Sequence, residues 1–326
     1  MGLSFGVILP HTRIFGGVKR FLEIGNLLIE RGHHFVVFTP EGIAPDWFPY
    51  KGEVRQLALI EQFSADALFV TEPEFLPQLR NSTATVKIFY AVLERRYIRT
   101  IARNKDILVL ANSTSLYQYL GGDKQDHILK AIGGIDLDKF QFEQHPRKTP
   151  FTILVYGRFY RRKKGTMLVV RACEWLYRKG FNIRLLLFDT PVDNNARKKV
   201  ENFKTDVPFK FYVDYPVEKV ADLYRMADVF VSAERNAGWA NTVAEAMASG
   251  VPVIATRSGT RDIVIHGETG LVVWRHPWFI RRALALLYRD ETLRLKLREK
   301  AREKIAGFSW HALTATIEQI VTSRIS

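Results

Sequence analysis

The chain has 326 residues, 47% hydrophobic and 25% charged, a balance that excludes disorder, collagen-like repeats and fibrous low complexity. Its single cysteine excludes an intrachain disulfide framework, and no apolar run nears the ~18 residues of a membrane span. The net charge of +14 is unevenly placed: residues 1–147 hold 17 basic and 16 acidic side chains, so the excess lies in the second half and points there to an anionic partner.

In chain order, Met1–Phe5 lacks the positive charge that opens a signal peptide, and a cytoplasmic protein is expected. Phe5–Leu9 reads as a strand broken at Pro10. From Gly17, apolar residues recur with helical spacing at Val18, Phe21, Leu22, Leu28 and Ile29. Gly32 stops that helix, and His34–Phe38 is the next strand, giving a βαβ unit and a parallel sheet. Weaker strands follow at Ala67–Thr71, Lys87–Tyr90 and Leu108–Leu110. The polar stretch Phe142–Pro150, with two prolines, reads as a linker.

The plan restarts with a strand at Phe151–Tyr156, a helix at Met167–Lys179 stopped by Gly180, and a strand at Ile183–Phe188. Further strands are expected at Phe209–Val213, Val229–Ser232 and Val253–Ala255. From Pro277 the pattern is helical only, with a break at Gly307–Trp310. The fold class is α/β. Two doubly wound domains, residues 1–145 and 146–306, precede a C-terminal helix, 307–326, expected to pack back on the first domain. Ligands should bind where loops leave the carboxyl ends of the strands.

Three segments carry chemistry. Gly16-Gly17 opens the first helix, where backbone N–H groups can approach a phosphate; a tight turn is the alternative. Gly157–Gly165, after strand Phe151–Tyr156, holds five cations within seven residues. Like charges packed so densely repel one another unless an anion shares the site, and Arg and Lys both grip phosphate; a solvated basic turn is the plainer reading. Ala233–Pro252 runs from a strand end through a glycine-containing loop into a helix beginning near Thr242. Its open N–H groups at Asn241, Thr242 and Val243 suit phosphate, and Glu245 suits a hydroxyl-rich ligand. Thr242 and Glu245 also have capping-box spacing.

These segments resemble the retaining glycosyltransferases of the GT-B fold, family 4. The resemblance rests on Gly16-Gly17, Gly133-Gly134-Ile135-Asp136 with Phe140, Gly157-Arg158 with Lys164-Gly165, Glu245–Ala255 and Gly267–Val273, nearly continuous from about 151 to 275. It implies two Rossmann-like domains facing a cleft, with a nucleotide-sugar donor, UDP- or GDP-linked, held mostly by the second. It further implies that Arg158 and Lys164 bind the donor diphosphate and stabilise the leaving group. Gly17, next to Gly16, would approach that diphosphate from the first domain, and Glu245 would hold the ribose. No cofactor and no metal are implied, the cationic side chains doing the work of Mg²⁺.

The chain departs from the family's pattern in two places. The first glutamate of the E-x7-E motif would stand at position 237, which is Ala237, and Glu234 is the candidate to reach the donor sugar instead. The family's first-domain histidine has no clear counterpart, His11 being a lone loop histidine. The acceptor is expected to be a glycan, a lipid-linked sugar or a small molecule. Weak peripheral contact with an anionic inner membrane face is an added expectation, through the basic run Arg95–Arg103, for which a solvated helix face is the alternative. Two rival readings are a catalytically impaired nucleotide-sugar binding protein and a basic nucleic-acid-binding protein. Against the latter, no helix-turn-helix, zinc-finger or RNA-recognition signature appears, and no nucleic-acid partner is expected. Cys173 reads as a core residue, and Arg281–Lys304 as exposed helix faces with i,i+4 ion pairs.

Overall fold

The computed structural model describes residues 2–142 and 149–325, so the central residues of the expected linker, 143–148, lie outside the described residues. The chain divides into two compact units, one of residues 1–134 and 308–326, the other of residues 135–307.

The first unit is a parallel seven-stranded sheet of β1 (Ser4–Ile8), β2 (His34–Thr39), β3 (Glu53–Gln56), β4 (Ala67–Val70), β5 (Val86–Ala91), β6 (Leu108–Ala111) and β7 (Ile128–Lys130), in the order β3-β2-β1-β4-β5-β6-β7. It carries α1 (Gly16–Glu30), α2 (Leu76–Asn81), α3 (Arg96–Ile101) and α4 (Thr114–Leu120). Period-2 alternation sends Phe5, Val7, Phe35 and Val37 into one core and Ile8, Val36 and Phe38 into another on the opposite face. Both faces of the sheet are therefore buried, as a doubly wound fold requires.

The second unit holds β8 (Phe151–Tyr156), β9 (Ile183–Asp189), β10 (Phe209–Val213), β11 (Val229–Ser232), β12 (Val253–Ala255) and β13 (Leu271–Val272), parallel in the order β10-β9-β8-β11-β12-β13. Its helices are α5 (Thr166–Arg178), α6 (Asn194–Glu201), α7 (Val220–Arg225), α8 (Asn241–Ala248), α9 (Pro277–Arg289) and α10 (Glu291–Ala306). In each sheet the strand order reverses beside the first strand. The second unit's switch point thus lies between β8 and β11.

The two units use one stop signal. Gly32 (φ +86°) and Gly180 (φ +81°) follow α1 and α5 in the left-handed region that favours glycine. Each glycine N–H bonds the residue three back, and the next N–H bonds the residue five back, Leu28 and Leu176 respectively. The helix turns sharply into β2 or β9.

The last helix, α11 (Trp310–Ile325), belongs to the first unit, where Trp310, Leu313, Ile317 and Val321 are buried in the same core as Phe21 and Leu28. The pair Gly133-Gly134 makes room for its start. Both have positive φ, and a Cβ on Gly134 would lie 2.2 Å from the Trp310 ring. The buried Arg20 guanidinium donates to Tyr90 Oη (3.0 Å) and the Gly133 carbonyl (2.9 Å), with the Trp310 ring 5.5 Å away. Hydrogen bonds and ring faces thus satisfy a buried cation.

The structure departs from the sequence reading in three places. The edge strands β3, β7 and β13 are additional; each has four residues or fewer, too short for a periodic signal. In α10, Arg294 and Arg298 are buried rather than solvated, Arg294 bonding the Leu287 carbonyl against the Phe151 ring. The pairs Glu291–Arg294 and Lys300–Glu303 are spaced i,i+3, not i,i+4. The basic run 95–103 forms the short α3, which buries Ile98 and Ile101 and lays Arg99 on the Tyr119 ring at 3.9 Å. Cys173 is a core residue of α5, and burial pushes its thiol pKa up. Among the described residues no helix is long and apolar enough to cross a membrane.

Candidate active site

In the second unit, the loops at the carboxyl edge of the sheet gather most of the residues singled out from sequence. Tyr156, the last residue of β8, is the centre of the group. Arg158 lies over its ring at 5.2 Å, and Lys164, from the far end of the same loop, at 5.4 Å. Arg158 and Lys164 are therefore neighbours in space, although five residues separate them in sequence.

Each cation has its own carboxylate. Arg158 donates from Nε to Asp189 Oδ1 at 2.9 Å and from Nη2 to the Thr190 carbonyl at 2.7 Å. Asp189 ends β9 with a fully buried side chain, and its second oxygen accepts from the Tyr160 hydroxyl at 2.8 Å. Burial alone would lower the Arg158 pKa; Tyr156 and the Asp189 carboxylate outweigh it and hold it above the ordinary guanidinium range. Burial likewise pushes Tyr156 up, so it stays a neutral phenol. Lys164 Nζ donates to Glu234 Oε1 at 2.5 Å, across the switch point from the β8 loop to the β11 loop.

The chain locally has little freedom to do otherwise. Gly165 stands at φ +72° between Lys164 and α5, and a Cβ there would come within 2.1 Å of the Ala233 carbonyl oxygen. Only glycine allows the two loops to close to this distance. The Arg235 N–H bonds the Lys163 carbonyl (2.9 Å), and Arg275 Nε bonds the Ala233 carbonyl (2.8 Å), fixing the β11 loop from both sides. Further along, the Ala237 N–H donates to Ser258 Oγ (2.8 Å) and the Ala240 N–H to the Gly259 carbonyl (3.0 Å). Position 237, where the family pattern has a carboxylate, is thus held by its backbone.

Helix α8 starts at Asn241, with Ala240 as N-cap and no side-chain cap. The capping box expected of Thr242 and Glu245 is therefore not formed, because Thr242 lies inside the first turn rather than ahead of it. The first-turn amides of Asn241 and Thr242 precede any intrahelical acceptor, while Val243 N–H turns back to the Ala240 carbonyl (3.0 Å). Glu245 is half-buried one turn on, and its Oε2 accepts from the Tyr224 hydroxyl at 2.6 Å. Burial first, and the Glu245 carboxylate second, push the Tyr224 pKa well up, so this phenol remains a donor.

Beside Glu234 lies a cavity of about 710 Å³ lined by Arg235, Thr256, Ser258, Trp274 and Arg275 among others. Trp274 is 76% exposed, an aromatic face turned to solvent at a cavity rim. Among the described residues no group of three or more His, Cys, Asp or Glu side chains is placed to hold a metal ion.

Gly16 and Gly17 lie in the first unit and open α1. Neither has positive φ, so no tight turn demands them. A Cβ on Gly17 would meet only the Phe15 ring at 3.7 Å, and α1 has no side-chain N-cap and no acidic first turn. The nearby His11 is not exposed, and its Nδ1 has no hydrogen-bond partner. Sequence reasoning missed Tyr156, Asp189, Tyr224 and Trp274. Asp189 alone had a signal, an acidic residue at the carboxyl end of a central strand.

Two doubly wound units, the second with paired cations and an uncapped helix start at the carboxyl edge of its sheet, define a class of α/β proteins. Residues 137–304 match the sequence profile of the glycosyl transferases group 1, and the chain belongs to that family. It is 31% identical over 172 residues to a D-inositol 3-phosphate glycosyltransferase of Corynebacterium glutamicum, covering 50% of this chain and 41% of that protein. It is 27% identical over 183 residues to the capsular polysaccharide biosynthesis glycosyltransferase CapM of Staphylococcus aureus, covering 53% and 48%. The matched stretch thus spans less than half the length of these relatives. Among solved structures, the chain is similar to sucrose-phosphate synthase from Thermosynechococcus elongatus (TM-score 0.78, 19% identity, 98% of both chains). It is also similar to Anabaena HepE in complex with UDP and glucose (TM-score 0.73, 13% identity, 98% of this chain and 100% of that one). The fold is GT-B.

Proposed function

We propose that the chain transfers a sugar from a nucleoside diphosphate-sugar, UDP- or GDP-linked, to an acceptor with retention and without a metal. The observation that carries this reading is the meeting of Arg158 and Lys164 over the Tyr156 ring at the β8/β11 switch point. Two preorganised cations there would meet the charge that develops on the departing diphosphate, without reorganisation in the transition state. The open amides of Asn241 and Thr242 would add donors to the same phosphates, and Glu245, steadied by Tyr224, would accept from the ribose hydroxyls. In the first unit, the backbone of Gly16 and Gly17 would approach the diphosphate, consistent with a Cβ-sized space left open at Gly17. Lys164 is bonded to Glu234; a diphosphate that takes the ammonium would release the carboxylate toward the donor sugar, in place of the residue absent at Ala237. The acceptor is a glycan, a lipid-linked sugar or a small molecule, and contact with an anionic membrane belongs to the same proposal.

Ala237 favours one second reading, a nucleotide-sugar binder with impaired transfer. Incubation with radiolabelled UDP- and GDP-sugars, with and without excess EDTA, separates the two. Transfer or slow hydrolysis of one donor, unchanged by EDTA and giving a product of retained anomeric configuration, is the expected result. Donor binding with neither reaction supports the impaired reading, and a requirement for Mg²⁺ or Mn²⁺ overturns metal independence.

A further inference from the structure

The basic loop contains more charge than the donor diphosphate uses. Arg158 and Lys164 each have a carboxylate partner, but among the described residues none of the guanidinium groups of Arg162, Arg171, Arg235 and Arg275 pairs with an acidic side chain. All four line a second cavity of about 500 Å³, which neither Arg158 nor Lys164 lines; Arg235 and Arg275 form a wall between it and the cavity beside Glu234, lining both. They reach it from the β8 loop, helix α5, the β11 loop and the segment after β13.

Arg275 is held in this company by hydrogen bonds to the Ala233 carbonyl (2.8 Å) and the Arg162 carbonyl (2.5 Å), not by a counter-ion. Burial, then the like charges of Arg235 and Arg162, press its pKa down. Chain segments that gather cations in this way hold an unneutralised field, which an anion would relieve. The cavity floor strengthens it. The first turn of the thirteen-residue α5 has neither a side-chain cap nor an acidic residue, so its amides add partial positive charge. Beside Gly165 and Thr166, the rest of the wall is made by the apolar side chains of Phe159, Met167 and Leu168, which suit the carbon part of an ester more than a bare ion.

We propose that Arg162, Arg171, Arg235 and Arg275 form a second anion site, for a phosphate ester distinct from the donor diphosphate. Guanidinium forks bind phosphate oxygens in pairs, and four of them converging from different segments recognise a terminal phosphate rather than a single carboxylate. The site does not depend on the donor reading. The ester comes either from a soluble phosphorylated compound or from a phospholipid headgroup.

The test titrates glycerol 3-phosphate, and separately phosphatidylcholine vesicles doped with phosphatidic acid, into the full chain in the presence and absence of saturating UDP. The variant is the double substitution Arg162→Gln with Arg171→Gln. Both residues are exposed, and their side chains make no hydrogen bond that folding would miss. Wild type should bind one of the two probes whether or not UDP is present, and the double variant should bind it at least about fivefold more weakly, as loss of two exposed charge contacts implies. Which probe binds assigns the source. The proposal is overturned if neither probe binds wild type, if the double variant binds within twofold of it, or if UDP abolishes binding. Failure of UDP itself to bind would count against the donor reading and leave this test intact.

Discussion

The ion pair between Lys164 and Glu234 leads to a counterintuitive expectation for Glu234→Gln: tighter binding of the bare nucleotide. In the proposed function Lys164 meets the diphosphate, and its ammonium is bonded to Glu234 Oε1 at 2.5 Å. An incoming diphosphate must first break that pair. The two side chains are 22% and 12% exposed, so the pair lies between a surface bridge, worth about 0.2–1 kcal/mol, and a fully buried one. An intermediate value of about 1–2 kcal/mol corresponds to UDP or GDP binding roughly 5–30-fold tighter when the carboxylate becomes an amide. The amide still fills the same volume, so no cavity opens. Calorimetry of both nucleotides against wild type and Glu234→Gln reads this directly. Transfer should slow at the same time, because the variant has no carboxylate to release toward the donor sugar. An affinity for the better-bound nucleotide equal to or weaker than wild type would refute the competition argument. Tighter binding with an unchanged transfer rate would retain the competition and remove the sugar contact.

Four other outcomes follow from the same geometry. Arg158→Ala should lower stability as well as nucleotide affinity, because the fully buried Asp189 carboxylate keeps neutral tyrosine hydroxyls but loses its cation; a loss of about 2–3 kcal/mol, or roughly 5–10 °C in Tm, is expected by calorimetry. Gly165→Ala places a Cβ 2.1 Å from a backbone oxygen at φ +72°, so the β8 and β11 loops must part; UDP binding should fall at least about tenfold, with a lower Tm. Tyr224→Phe removes the donor that steadies Glu245 and should weaken UDP about three- to tenfold while leaving inorganic pyrophosphate binding unchanged, since only the ribose contact is disturbed. In the first unit, burial would raise the Glu318 pKa, but hydrogen bonds from His33 and Arg31 pull it below 4.5. Its stabilisation is therefore present above pH 4.5 and lost as pH falls through the lowered value; Glu318→Gln should melt earlier than wild type at neutral pH and converge with it in acid.

The central strands were legible because each is buried on both faces and reads as a short apolar run, with Pro10 closing the first and Gly157 the eighth. The stop at Gly32 and its repeat at Gly180 were legible for a related reason, since the helix ends two residues before each. The edge strands were not. Glu53–Gln56 is four residues of mostly polar side chains at the sheet margin, where half the surface faces water and no core selects the sequence. The buried arginines were equally hidden. Arg20 is satisfied by a carbonyl and ring faces from distant segments, and Arg294 combines the Leu287 carbonyl seven residues back with the distant Phe151 ring, so neither is distinguished in sequence from a solvated cation.

The site divides along the same line. Arg158, Lys164 and Gly165 were legible because one short loop concentrates charge and glycine together, a local anomaly that needs no tertiary information. Their partners come from other loops. Asp189 ends a neighbouring strand, and Glu234 follows the strand across the switch point, so the parallel sheet brings to one edge groups that lie 31 and 70 residues from Arg158 and Lys164 in the chain. The capping box at Thr242 and Glu245 failed for the opposite reason. Its spacing is local and correct, but the helix begins two residues earlier than a cap at Thr242 requires, because the β11 loop is fastened to Ser258 and Gly259 and delivers Ala240, not Thr242, to the cap position. That tertiary constraint leaves the Asn241 and Thr242 amides uncapped at the same sheet edge as Arg158 and Lys164, and an uncapped start is a better place for a phosphate than a capped one.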